Sequence, residues 1–191
     1  MAGKGFDEVY NLKGGIKAWE GQQISGPAET GMAFIRGDET IEDIFTIAYG
    51  MEEGLKGFYA SLSGQSFPTD VIDNMKKLAE IEEKHKAKLY SWYRKLDLPH
   101  KDKDTFEAKA LSDAMEGGFT LSAFLEQNKD ALKTVPDVLS MAMMLEAQAL
   151  DLYHRYSEQV TEEGVKSFLF EMAEEEKKHL KALGQLINEK V

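Results

Sequence analysis

Three features of the chain point to an all-α protein: a four-helix bundle with one long crossover between its second and third helices, preceded by a short non-helical N-terminal extension. From Asp38 onward, apolar residues recur at the spacing of three and four that puts them on one face of a helix. The gaps between four such stretches run short, long, short. A shift of 94 residues lays the last two stretches on the first two, taking Ala48 to Ala142, Tyr59 to Tyr153 and Ala79 to Ala173. The bundle therefore reads as an internal duplication, and 191 residues suffice for one generous domain with an appendage.

The elements follow in order. Residues 1–36 form the extension, rich in glycine and without helical period, holding a strand-like run at 8–12, the pair Gly14-Gly15 and a one- or two-turn helix at 16–20. So short a segment cannot bury a core of its own. Residues 37–191 form the helical domain. Asp38 or Thr40 caps a first helix running to about Ser63, and Pro68-Thr69 opens a second that ends before Pro99. Thr134, just ahead of Pro136, opens a third to about Gln159, and Thr161, followed by Glu162 and Glu163, opens a fourth that runs to the C-terminus. Between the second and third lie about 35 residues, with short helical runs near 104–116 and 121–129 around a Gly117-Gly118 break.

Composition removes several function classes. With no cysteine there is no disulfide, thiolate metal site or cysteine nucleophile, so any metal must be held by His, Asp and Glu. The formal charge of −11 repels nucleic acid and anionic bilayers, and no basic patch offsets it. No run of about 18 apolar residues spans a membrane and no signal peptide opens the chain, so the expected location is cytoplasmic.

The chemistry lies where the apolar stripes are interrupted. Ile41, Phe45, Ala48, Leu55, Tyr59 and Leu62 mark the inner face of the first helix, and Glu52 sits among them. On the second helix Val71, Met75, Leu78, Leu89, Trp92 and Leu96 keep the rhythm, broken by Glu82 and His85. The third, with Val135, Leu139, Ala142, Ala149, Tyr153 and Tyr156, is broken by Glu146. The fourth, with Val165, Leu169, Met172, Leu183 and Leu186, is broken by Glu176 and His179. The 94-residue shift maps these interruptions on one another, so each half carries Glu, 29 intervening residues, then Glu-x-x-His, with a Tyr seven residues after the first Glu.

A lone ionised carboxylate in an apolar interior is too costly to persist unpaired, and no Lys or Arg falls on these seams. Four carboxylates bring −4 and two divalent cations +4. With both histidines neutral the cluster closes to zero. Glu-x-x-His sets its two side chains on one helix face a turn apart, and two such motifs plus one Glu from each remaining helix make a di-metal carboxylate site. By symmetry Glu82 and Glu176 bridge, Glu52 and His85 complete one metal, and Glu146 and His179 complete the other. Iron or manganese suits these ligands, as does zinc.

One Glu-x-x-His in a Lys- and Glu-rich helix ordinarily marks a solvated face, but two copies at matched spacing on the apolar phase do not. Glu53 competes with Glu52, yet its duplicate is Ala147. His100 belongs to a charged loop, and His154, whose duplicate is Ala60, to a helix surface. Met141, Met143 and Met144 cover several faces of one helix and read as core filler. Tyr59 and Tyr153 are candidates for hydrogen bonds that orient the carboxylates, or for plain aromatic packing.

Glu52, Glu82, His85, Glu146, Glu176 and His179, with Tyr59 and Tyr153, resemble the motif of the rubrerythrin and ferritin-like di-iron superfamily over about residues 38–190. The short, long, short connectivity is likewise that of a ferritin-like bundle. The resemblance implies two iron ions that, once reduced, pass electrons to hydrogen peroxide or dioxygen and so protect against oxidative stress. The best-known rubrerythrins carry a rubredoxin domain with four cysteine ligands. This chain has no cysteine, so an external electron donor such as a rubredoxin-like protein is implied. Those rubrerythrins also carry an extra Glu where this chain has Met143, which brings its site nearer the symmetric six-ligand centres of ferroxidases. Ferroxidase or iron-handling activity, or metal binding without redox activity, are the alternatives. A homodimer, with or without exchange of its second helical pair through residues 99–133, is the expected assembly. Residues 5–21, with the order Gly-Phe, Val-Tyr-Asn-Leu, Gly-Gly-Ile and Ala-Trp, resemble the end of a rhodanese domain without its sulfur-transferring loop cysteine.

Overall fold

The computed structural model describes residues 39–64, 66–96, 102–116 and 121–190. The rhodanese-like segment 1–36, with its strand-like run and short helix, lies outside the described residues, as do Asp38, His100 and the Gly117-Gly118 break. Six α-helices stand among the described residues: α1 Ile41–Ser63, α2 Thr69–Tyr93, α3 Lys103–Glu116, α4 Leu121–Asn128, α5 Val135–Gln159 and α6 Glu163–Lys190. A 3-10 turn, Lys129–Ala131, follows α4. There is no strand among them, and the fold is the all-α, ferritin-like bundle.

The duplication reaches the helix starts. Thr40 accepts a hydrogen bond from the backbone N–H of Asp43, whose carboxylate accepts from the Thr40 N–H. Thr134 and Asp137 repeat this reciprocal box 94 residues later. Each box satisfies donors that a helix start leaves without intrahelical partners. At α6 the expectation is one residue early: Glu162, not Thr161, supplies the carbonyl that accepts from the first free turn, at the Lys166 N–H.

Side-chain pairs give the directions. Lys190 in the last turn of α6 lies 2.5 Å from Asp70 in the first turn of α2, while Lys88 of α2 lies 2.5 Å from Glu175 of α6, so these two helices are antiparallel. Tyr59 and Tyr153 reach across to Glu146 and Glu52 respectively, which makes α1 and α5 antiparallel as well. The order is therefore up, down, down, up. Because α2 and α5 run the same way, the chain between them must travel back along the bundle, about 37 Å for a 25-residue helix. α3 covers the first half of α1, with Phe106 edge-on to Tyr49 at 5.2 Å and Lys109 3.0 Å from Asp43. α4 covers the second half, with Phe124 against Phe58 at 6.2 Å.

The seam residues of both halves are buried, Phe45, Ala48, Leu55, Tyr59 and Leu62 in one and Leu139, Ala142, Ala149, Tyr153 and Tyr156 in the other. On α2 and α6 the same holds of Val71, Met75, Leu78 and Leu89 and of Val165, Leu169, Met172 and Leu183. Burying one large apolar side chain contributes about 1.5–3 kcal/mol, and this core offsets the polar cluster at its middle. Ile41, Trp92 and Val135 are only half-buried, at the ends of the stripes. Tyr93 takes the interior place next to Trp92, because a strict spacing of three and four drifts off a 3.6-residue turn.

Candidate metal centre

Mid-helix, the four long helices bring six ionisable side chains to one point. α1 supplies Glu52, α2 supplies Glu82 and His85, α5 supplies Glu146, and α6 supplies Glu176 and His179. The four glutamates are 0 % exposed, His85 1 % and His179 6 %. Nδ1 of His85 lies 3.0 Å from Glu82, 3.2 Å from Glu176 and 3.5 Å from Glu52. Nδ1 of His179 lies 3.1 Å from Glu176, 3.3 Å from Glu146 and 3.6 Å from Glu82. Glu82 and Glu176 thus face both imidazoles, while Glu52 faces only His85 and Glu146 only His179. The two rings stack at 5.2 Å with 14° between their planes.

The donor atoms fit cations better than one another. Oε2 of Glu52, both carboxylate oxygens of Glu82 and of Glu176, and Nδ1 of His85 are buried without a hydrogen-bond partner. So many orphaned polar atoms converging in one dry place are uncharacteristic of a core meant to be closed by protein groups alone. Ligand atoms of Glu52, Glu82, His85 and Glu176 lie within 4.8 Å of one another, as do those of Glu82, Glu146 and His179, so either group can surround one ion. Glu82 belongs to both.

Crowding acids in a dry interior shifts their protons. Burial pushes the Glu82 carboxyl up to about 10; His85 opposes this and Glu52 adds to it. Burial likewise raises Glu146 to about 8, against the pull of His179. For Glu176 burial is overcome by the imidazoles of His179 and His85, which hold it at about 2. Glu82 and Glu176 are equivalent in the repeat yet diverge because their partners differ: both imidazoles and Glu146 pull Glu176 down, whereas His85 pulls on Glu82 against Glu52 and Glu146, which push it up. Burial disfavours the charged form of both histidines, but Glu176, Glu52 and Glu82 outweigh it at His85, and Glu146 and Glu176 raise His179 to about 10.

The two tyrosines are fully buried and donate to the cluster, each to the glutamate on the other helix rather than to the one seven residues before it. Antiparallel packing of α1 on α5 brings Tyr59 level with Glu146. Burial, then the charge of that glutamate, raises the Tyr59 hydroxyl well above its ordinary range, and burial, then Glu52, does the same for Tyr153. Both hydroxyls therefore keep their protons and act as donors.

Two features escaped the sequence reading. Glu175 lies 2.9 Å from Nε2 of His85 and 2.5 Å from Nζ of Lys88. Lys86, four residues after Glu82 and three before Leu89, falls on a seam where no lysine was expected; it is only 6 % exposed, pairs with Glu53 and with Glu83 rather than with the cluster, and lies over the Tyr49 ring. Glu53 is therefore the partner of a buried lysine and not part of the cluster. His154 sits half-exposed, edge-on to Phe170.

The sequence model of the rubrerythrin family matches residues 137–190. That span covers most of α5 and all of α6, and so carries Glu146, Glu176 and His179. It supports a rubrerythrin or ferritin-like affiliation for the second helical pair, whose pattern the first pair repeats. Curated proteins and solved structures return no match. No described helix is long and apolar enough to cross a membrane.

Proposed function

We propose that the chain is a non-haem di-iron oxidoreductase of rubrerythrin type, which reduces hydrogen peroxide or dioxygen with electrons from a donor outside this chain and so limits oxidative stress. The observation that carries this reading is the convergence of Glu52, Glu82, His85, Glu146, Glu176 and His179 with their orphaned ligand atoms in the closed middle of the bundle. In this reading Glu82 and Glu176 would be shared by the two ions, Glu52 with His85 would complete the hold on one, and Glu146 with His179 the hold on the other. Two ferrous ions bound there would supply the two electrons that convert one hydrogen peroxide and two protons into two waters.

The remaining work falls to the protein. Tyr59 and Tyr153 hold the terminal carboxylates by hydrogen bonds to one oxygen each, leaving the other oxygen turned to the centre. The apolar residues a turn away on every helix, among them Ala48, Leu78, Ala142 and Met172, exclude water and keep the carboxylates in place. A rubredoxin-like protein fits the role of donor, since the chain has no cysteine of its own.

Stopped-flow oxidation of the ferrous-loaded protein tests the reading. Peroxide is expected to oxidise it far faster than an E82A/E176A variant, and equal rates would end the redox assignment.

A second reading, iron oxidation and handling, is favoured by one observation: the symmetric six-residue set, with Met143 where the best-known rubrerythrins carry a further glutamate. Storage needs a hollow shell of many copies, so size-exclusion chromatography separates it from the homodimer we propose, with or without exchange of the second helical pair. Metal analysis of protein purified without added ions separates both from a zinc-holding bundle without redox activity.

A further inference from the structure

The two halves of the centre are equivalent in the six residues that face it, but not in what stands behind the histidines. Both imidazoles turn Nδ1 inward. Behind His85, Nε2 meets Oε2 of Glu175 at 2.9 Å, and the other oxygen of that carboxylate meets Nζ of Lys88 at 2.5 Å. A three-membered chain, Lys88 to Glu175 to His85, thus crosses from α2 to α6 and back. The 94-residue shift takes Glu175 to Ile81 and Lys88 to Ala182. Neither can accept a proton or carry a charge, and among the described residues no carboxylate meets Nε2 of His179.

We infer that Glu175 is a positioning residue for His85 and makes the two metal positions unequal, the His85 position being the tighter. This rests on the di-metal reading above. The physical reason is local. An imidazole whose Nε2–H is held by a carboxylate is fixed in the tautomer that presents the Nδ1 lone pair to the ion. Its ring can no longer swing, and the anion behind it makes it a stronger donor. Lys88 in turn fixes Glu175, which is only 22 % exposed on its side chain and carries an ion pair to each neighbour. His179 has only the carboxylates its Nδ1 faces, and packing, to orient it.

The test is a cobalt(II) titration of the metal-free full chain, read by calorimetry and by visible absorption. Wild type should take two ions with affinities about 10- to 100-fold apart. E175A should weaken the tighter step by a similar factor, bringing the two together, and should shift the visible bands of that ion only. E175Q keeps an acceptor oxygen for Nε2–H and should lose less. In an H85A background, E175A should change nothing further, because its effect runs through that ring. Two equal affinities in wild type, or an E175A variant that weakens both steps alike or neither, would overturn the positioning role while leaving the di-metal centre standing. Fewer than two ions bound by wild type would overturn both.

Discussion

At the residue scale the crossed hydrogen bonds of the tyrosines say most about how the centre is held. Each removes one carboxylate oxygen from competition and fixes the other, so a phenylalanine in place of either tyrosine keeps the packing and loses the donor. Y59F leaves Glu146 with an unsatisfied buried oxygen, at about 1–3 kcal/mol in the metal-free protein, and Y153F should cost a similar amount through Glu52. Urea unfolding of both variants checks this; two variants as stable as wild type would reduce the tyrosines to packing. Glu82 behaves in the opposite sense. Its carboxyl, raised to about 10 chiefly by burial, must hold a proton in the metal-free fold that the unfolded chain releases near 4.5, so it costs stability that grows as pH rises above 4.5. E82Q should therefore match or exceed wild type in metal-free stability at pH 7, with a larger margin at pH 9, while losing metal uptake. The six ligand candidates and both tyrosines were legible in the chain because they fall on the apolar phase and recur after 94 residues. Glu175 and Lys86 were not: both lie in runs of charged residues that read locally as solvated surface, although Lys86 keeps the apolar spacing, and only the neighbouring helices make the one a partner of a buried histidine and bury the other.

At the element scale the same repeat governs the helix starts. Thr40 with Asp43 and Thr134 with Asp137 make matching boxes, and T40A and T134A should each cost about 1 kcal/mol, adding in the double variant because the caps share no partner. The first box also has a pH signature. Burial raises the Asp43 carboxyl, but Thr40 and Lys109 more than offset that and hold it at about 2. A depressed carboxyl contributes stability above its unfolded value of 3.8, and that contribution fades as pH falls towards 2. The stability gap between wild type and D43N, measured by urea unfolding, should therefore be full at pH 7 and close between pH 4 and pH 2. A gap that stays constant would mean that the carboxylate does not support the cap. Helix bounds were legible to within a few residues because Thr-x-x-Asp and the prolines are local signals. Tyr93 was passed over for Trp92 because the drift of a 25-residue helix against its neighbours is settled by packing and not by spacing.

At the scale of the whole molecule, the order up, down, down, up explains why a long crossover is needed and why α3 and α4 lie along α1. Connectivity was legible from gap lengths alone. Which tyrosine meets which glutamate was not, since that depends on two helices far apart in sequence lying antiparallel. The proton inventory of the centre is also a property of the assembled bundle. Glu82, Glu146 and His179 are all raised in the fold, so between about pH 5 and pH 9 the metal-free protein holds protons that the unfolded chain gives up. Its stability should fall across that range, while affinity for divalent cations rises and each binding event releases protons. Calorimetric titrations in buffers of different ionisation enthalpy read the release directly; a signal independent of buffer would contradict it. The central claim, that six side chains meet because two cations lie between them, is tested most directly by anomalous diffraction at the iron edge from crystals of the ferrous-loaded protein. Two peaks flanked by Glu82 and Glu176, one beside His85 and the other beside His179, are the predicted result. No peak there, or iron bound only at the surface, would contradict it.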